Sequence, residues 1–132
     1  MIKKIDHIGI AVKNLDEQVS FYSNALGLSC SGTEEVADQK VKVAMFSVGE
    51  IQIELLQPTA DDSPIAKFLE KKGEGIHHIA YLVTDLENNL KRLEEQHVQL
   101  IDSEPRVGAG GHKIAFLHPR ATFGVLTELC EH

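Results

Sequence analysis

Two histidines and two glutamates recur in this sequence at matched places of an internal repeat, and together they have the chemistry of a metal site. Asp6-His7-Ile8-Gly9-Ile10-Ala11-Val12 is echoed 71 positions later by His77-His78-Ile79-Ala80-Tyr81-Leu82-Val83. Gly49-Glu50-Ile51-Gln52-Ile53-Glu54-Leu55 is echoed by Gly124-Val125-Leu126-Thr127-Glu128-Leu129, 74 positions apart at the acid. Side chains alternate between the faces of a strand. His7 therefore shares a face with Gly9 and Ala11, and His78 with Ala80 and Leu82. The opposite faces, Ile8, Ile10 and Val12 in one copy and Ile79, Tyr81 and Val83 in the other, are bulky enough to pack under helices. On this alternation His78, not His77, is the partner of His7. A lone histidine in an apolar strand is ordinarily a satisfied core residue; two at matched points of a repeat indicate a shared site. A glutamate among apolar neighbours is costly if buried and unpaired. The bland alternative puts Glu54 and Glu128 at a sheet edge facing solvent. A divalent cation explains both acids at once. His7, Glu54, His78 and Glu128 form a His₂Glu₂ set suited to Zn²⁺, Ni²⁺, Co²⁺, Mn²⁺ or Fe²⁺, with positions left for water or substrate.

The patterning also indicates the elements that hold these residues. Lys3–Val12 reads as a strand. Asn14 then caps a helix carrying Leu15, Val19, Tyr22 and Leu26, with Glu17 at capping-box spacing and Gly27 at the left-handed end position. Cys30–Ala37, Lys40–Val48 and Ile51–Gln57 are expected strands, with Gly49-Glu50 as the turn between the last two. Ser63-Pro64 starts a short helix with Ile65, Phe68 and Leu69 on its apolar face, ended by Gly73 and Gly75. After the second histidine strand, Thr84-Asp85 opens a helix carrying Leu86, Leu90 and Leu93. Its charged face needs no functional reading. Val98–Ile101, Lys113–His118 and Val125–Cys130 are expected strands, and Gly108–Gly111 a mobile loop. Each half is thus β-α-β-β-β. Residues 1–132 form one α+β domain: repeat 1 over 1–57, repeat 2 over 76–132, and a helix-containing linker over 58–75, with the two units curving a mixed sheet around one cleft. Aligning Ala44-Met45-Phe46 with Ile114-Ala115-Phe116 at an offset of 70 makes Lys113 the partner of Val43.

Bulk properties narrow the function classes. The net charge of −7 argues against nucleic acid as the main partner. No apolar run is long enough for a membrane span. The start, MIKKIDHIGIAV, enters a strand without a cleavage site, so no signal peptide is expected. Two cysteines, Cys30 and Cys130, make no disulfide framework and are expected as cytoplasmic thiols. The glycines at 108–111 are not a phosphate-binding motif, since no Gly-Lys-Ser/Thr follows. His112 and His118 are not expected as ligands, and His118 before Pro119 more naturally fixes a turn.

With these residues in place, the chain resembles the vicinal oxygen chelate superfamily over essentially its whole length. That group includes glyoxalase I, extradiol dioxygenases, fosfomycin-resistance transferases, bleomycin-binding proteins and methylmalonyl-CoA epimerase. The segments Asp62–Leu69, Gly75–Ala80, Gly110–Pro119 and Gly124–Leu129 look like those of the epimerases. Glyoxalase I would more typically carry an Asp-Pro-Asp-Gly turn, where this chain has His118-Pro119-Arg120-Ala121-Thr122-Phe123-Gly124.

The resemblance implies a 1,1-proton transfer on a methylmalonyl-CoA thioester, interconverting 2R and 2S forms through a metal-stabilised enolate. It further implies one divalent ion (Co, Zn, Ni or Mn), an acyl-CoA substrate and a homodimer. Inversion needs proton removal on one face and delivery on the other, roles that fall to Glu54 and Glu128 in addition to ligation. Some epimerases instead carry Gln at the position of Glu54 and a separate catalytic Glu at the position of Val43, which cannot carry protons. Lys113 is a candidate contact for a substrate carboxylate, or a solvated strand-edge residue. The rival functions are glyoxalase I, using the same four ligands, and a non-catalytic binding protein of the bleomycin-resistance type. A dioxygenase fits less well, because its iron takes only one carboxylate.

Overall fold

The structure, a computed structural model, describes residues 2–132. It divides into two compact units, His7–His77 and the residues up to Asp6 with His78–His132. The class is α+β, and each unit is built on the β-α-β-β-β plan.

In the unit His7–His77 the elements are β1 (Ile2–Ala11, of which His7 onward belongs here), α1 (Leu15–Ser20), β2 (Cys30–Val36), β3 (Val41–Val48), β4 (Ile51–Pro58) and α2 (Pro64–Lys72). The strand order is β2-β3-β4-β1, with β1 parallel to β4 and the other pairs antiparallel. The Asn14 side chain accepts from Glu17 N at 3.0 Å, as the spacing predicts. The helix then loosens into a π-helical turn over Phe21–Ala25, closed by Leu26 N donating to Phe21 O at 3.2 Å, and ends at Gly27 with φ +72°. The bulky face of β1 packs under it as expected: Val12, Leu15, Ala44, Phe46 and Leu55 form one buried cluster, flanked by Ile10, Val19 and Tyr22.

Ser63 is fully buried, and its hydroxyl accepts from Ile65 N at 3.2 Å, capping α2 ahead of Pro64. Replacing Ser63 with Ala is expected to cost about 1 kcal/mol, read as a lower denaturant midpoint with unchanged slope. Just upstream, Lys40 donates to Asp62, and this hydrogen bond holds the Asp62 carboxyl below its ordinary pKa. Both groups are well exposed, so the pair adds little to stability.

The other unit holds β5 (Gly75–Val83, from His78 onward), α3 (Leu86–Glu95), β6 (Arg106–Val107), β7 (Lys113–Leu117) and β8 (Thr127–Glu131). Its order is β5-β8-β7-β6, with β5 parallel to β8. This reproduces the first unit strand for strand. Val83, Leu86, Leu90, Ala115, Leu117 and Leu129 make the core under α3. The two helices are even tethered alike. Leu15 N donates to the Gln57 side chain at 2.6 Å, and Leu86 N to Glu131 at 2.8 Å. Each tether sits three residues beyond the repeat's glutamate.

Two expectations are corrected. Val98–Ile101 is not a strand; only a single bridge joins Leu100 to Leu117. The Asp102 carboxylate accepts from Phe116 N at 2.9 Å and so replaces a backbone partner. The short strand falls instead at Arg106–Val107. The last strand starts at Thr127 rather than Val125, because the hydroxyls of Thr122 and Thr127 both donate to the Val125 carbonyl. The Gly108–Gly111 segment is a hydrogen-bonded turn in which Gly110 and Gly111 take φ of +71° and +75°.

Candidate metal centre

The two His–Glu pairs are produced by the same register, once in each unit. In the unit His7–His77, parallel pairing sets Gly9 opposite Glu54. His7 lies two residues earlier on the same face, and its Nε2 stands 3.8 Å from Glu54 Oε1. In the other unit Ala80 lies opposite Glu128, and His78 Nε2 stands 3.3 Å from Glu128 Oε1. A residue with little or no side chain, Gly9 or Ala80, faces each acid and leaves room for the histidine to reach it. All four residues are buried, with 3–6% of their surface exposed. That excludes the solvent-edge alternative for the glutamates.

The donor chemistry fits a divalent ion. Ligand atoms about 2.1 Å from one metal stand about 3.0–3.4 Å from each other, the octahedral and tetrahedral spacings. The pair at 3.3 Å is near that spacing, and the pair at 3.8 Å is somewhat wider. His7, Glu54 and His78 each offer a buried candidate ligand atom. Among the described residues, no buried side-chain nitrogen or oxygen lacks a hydrogen-bond partner.

The neighbouring strands correct the offset across the repeat. Met45 lies opposite Glu54 and Phe116 opposite Glu128. Met45 and Phe116 are therefore equivalents, 71 residues apart. The offset of 70 is a one-residue slip, and a slip of one exchanges the faces of a strand. Val43 pairs in the repeat with Ile114, and Lys113 with Lys42. Lys113 lies on the α3 side with Ala115, its Nζ 3.5 Å from Glu87 and more than half exposed. It is on the opposite face of β7 from Phe116. His77 falls on the bulky face, edge-on to Phe68 at 5.0 Å. His118 holds a turn, its Nδ1 accepting from Arg120 N at 3.0 Å.

The model of the Glyoxalase/Bleomycin resistance protein/Dioxygenase superfamily matches residues 6–116, which include His7, Glu54 and His78. The chain belongs to this superfamily. Its relatives within the glyoxalase/dioxygenase superfamily carry the comparison on through Glu128. The ethylmalonyl-CoA/methylmalonyl-CoA epimerase of Cereibacter sphaeroides is 40% identical over 98% of both chains. The uncharacterized protein YqjC of Bacillus subtilis is 54% identical, over 98% of this chain and 93% of its own. A solved methylmalonyl-CoA epimerase in complex with methylmalonyl-CoA and NH4+ superposes with a TM-score of 0.95 at 39% identity, covering 99% of this chain and 95% of the other.

Sequence reasoning missed the surroundings of the His78–Glu128 pair in this superfamily member. Phe116 stands edge-on to His78, with ring centroids 5.6 Å apart at 84°. The Arg106 guanidinium lies over the same Phe116 ring, 5.4 Å from its centroid. Alternation could have found Phe116, since it shares a strand face with Ile114. Nothing local marks Arg106. Cys130, beside them, is buried in the cluster with Ala80, Ile114 and Phe116, as its small size suggests.

Proposed function

We propose that this protein is a metal-dependent methylmalonyl-CoA epimerase, interconverting the 2R and 2S thioesters by proton transfer at the carbon between thioester and carboxylate. The observation that carries the reading is the pair of buried His–Glu couples at equivalent registers. The epimerase relatives support the same reading. The protein is an isomerase of the epimerase class. His7, Glu54, His78 and Glu128 would hold one divalent ion, Co, Zn, Ni or Mn. When bound, the ion supplies Lewis acidity toward the substrate oxygen on which negative charge develops.

The chain's own groups do the rest. The imidazoles, fixed on β1 and β5, hold their Nε2 atoms toward the carboxylates. Inversion requires a base on one side of the reacting carbon and an acid on the other. Glu54 and Glu128, one from each repeat, take these two roles. Val43 is apolar and only 2% exposed, so it contributes packing and no proton. Lys113, on the α3 side of β7 and paired with Glu87, takes no part in substrate binding. Residues 1–132 act as one domain of two repeats (1–57 and 76–132, joined by 58–75), working as a cytoplasmic homodimer. Among the described residues no helix is long and apolar enough to cross a membrane.

The test is solvent exchange. Metal-loaded protein incubated with methylmalonyl-CoA in D₂O is expected to lose the α-proton NMR signal, and a chelator is expected to stop that loss. No exchange despite stoichiometric metal would overturn the epimerase reading and direct the assay to methylglyoxal with glutathione. Neither exchange nor metal uptake would leave a binding protein.

A further inference from the structure

Arg106 is placed on the same face as the His78–Glu128 pair. It pairs with Ile114 across β6 and β7, and Ile114 shares its strand face with Phe116, the partner of Glu128. Among the described residues it is the one permanent positive charge that β5–β8 put on that face. It is also held in position. The guanidinium covers the Phe116 ring, while Nε stands 3.4 Å from Asp102 Oδ2. That same carboxylate accepts from Phe116 N, so Asp102 is itself fixed to the strand that carries Phe116. The contact to Asp102 is made through Nε. The side chain remains 47% exposed. At that exposure an ion pair adds little to stability. A guanidinium laid over an aromatic ring and held at Nε keeps its two terminal nitrogens, the planar fork that binds a carboxylate or phosphate bidentately.

We propose that Arg106 is a substrate-binding residue that takes an anionic group of the acyl-CoA. This rests on the epimerase reading. Two anions have this chemistry: the carboxylate on the reacting acyl group and the phosphates of the nucleotide end. Truncated ligands separate them. Propionyl-CoA lacks the carboxylate, and methylmalonyl-pantetheine lacks the nucleotide phosphates.

The experiment measures epimerisation kinetics and, independently of turnover, calorimetric binding of the three ligands to metal-loaded wild type, Arg106→Gln and Arg106→Lys. Arg106→Gln is expected to raise KM for methylmalonyl-CoA at least tenfold with kcat changed by no more than about threefold, and Arg106→Lys to recover part of the loss. If the carboxylate is the partner, the binding loss persists with methylmalonyl-pantetheine and vanishes with propionyl-CoA. If the phosphates are, the reverse holds. Wild-type KM and affinities in both variants would overturn the proposal. Should Arg106→Gln fail to fold, Arg106→Lys decides: it keeps the charge but not the planar fork, so weakened binding supports the proposal and unchanged binding overturns it. A wild type that binds acyl-CoA without epimerising it would sink the epimerase reading, while the binding comparison would still judge Arg106.

Discussion

Glu128→Gln is expected to slow α-proton exchange by about 10²–10⁴-fold, the range for losing a positioned acid or base. The amide keeps the shape and one carbonyl oxygen, so β8 and its pairing with β5 are retained. What disappears is the ability to accept a proton and the negative charge beside His78, 3.3 Å away. Glu54→Gln is the matched change in the other repeat, beside His7. Two-base inversion predicts that both variants lose epimerisation. Isotope exchange separates the roles further, since a variant that keeps one working base can wash out the proton of one enantiomer only. The assay is NMR of each enantiomer of methylmalonyl-CoA in D₂O, with metal content measured on the same samples. A Glu54→Gln protein that still epimerises at wild-type rate would remove Glu54 as a base. A variant that loses metal as well as exchange would show the carboxylate acting first as a ligand.

The largest expected stability effect lies away from the site. Phe46 is completely buried between β3 and α1, 5.6 Å from the Tyr22 ring. Phe46→Ala removes most of a ring from a cluster closed by Val12, Leu15 and Leu55, and is expected to cost about 3–5 kcal/mol. For a chain of this size that corresponds to a midpoint lower by roughly 10–20 °C. It would take up much of a typical domain's stability of about 5–15 kcal/mol. Phe123→Ala is the control. That ring is 97% exposed, and its loss is expected to stay within about 0.5 kcal/mol. Thermal melts of the two variants, monitored by circular dichroism, give the comparison directly. Equal midpoints would mean that the cluster under α1 does not carry the stability assigned to it.

The four buried His and Glu residues were legible in the sequence because a repeat announces equivalence and strand alternation announces faces. Helix starts were legible for a similar reason: Asn14, Ser63 and Asp85 satisfy amides within three residues of themselves. Those signals are local, and local chemistry decides them before any tertiary contact forms. The tethers from Gln57 and Glu131 to the starts of α1 and α3 span more than 40 residues, and no neighbour in sequence announces them. Register is likewise decided between strands. Met45 and Phe116 are equivalent only because each lies opposite its glutamate, which moves Lys113 to the helix side and Ile114 into the place of Val43. Asp102 shows a side chain overriding a strand pattern, since its bond to Phe116 N appears only once β7 is beside it. Arg106 acquires meaning the same way: an arginine in a polar stretch becomes an anion-binding candidate when the Phe116 ring on the neighbouring strand lies beneath it and Asp102, four residues earlier, pairs with its Nε. Residue types and spacing thus determined which chemistry this protein carries. Strand pairing and packing decided which side chains share its face, because a shift of one residue reverses every side chain on a strand.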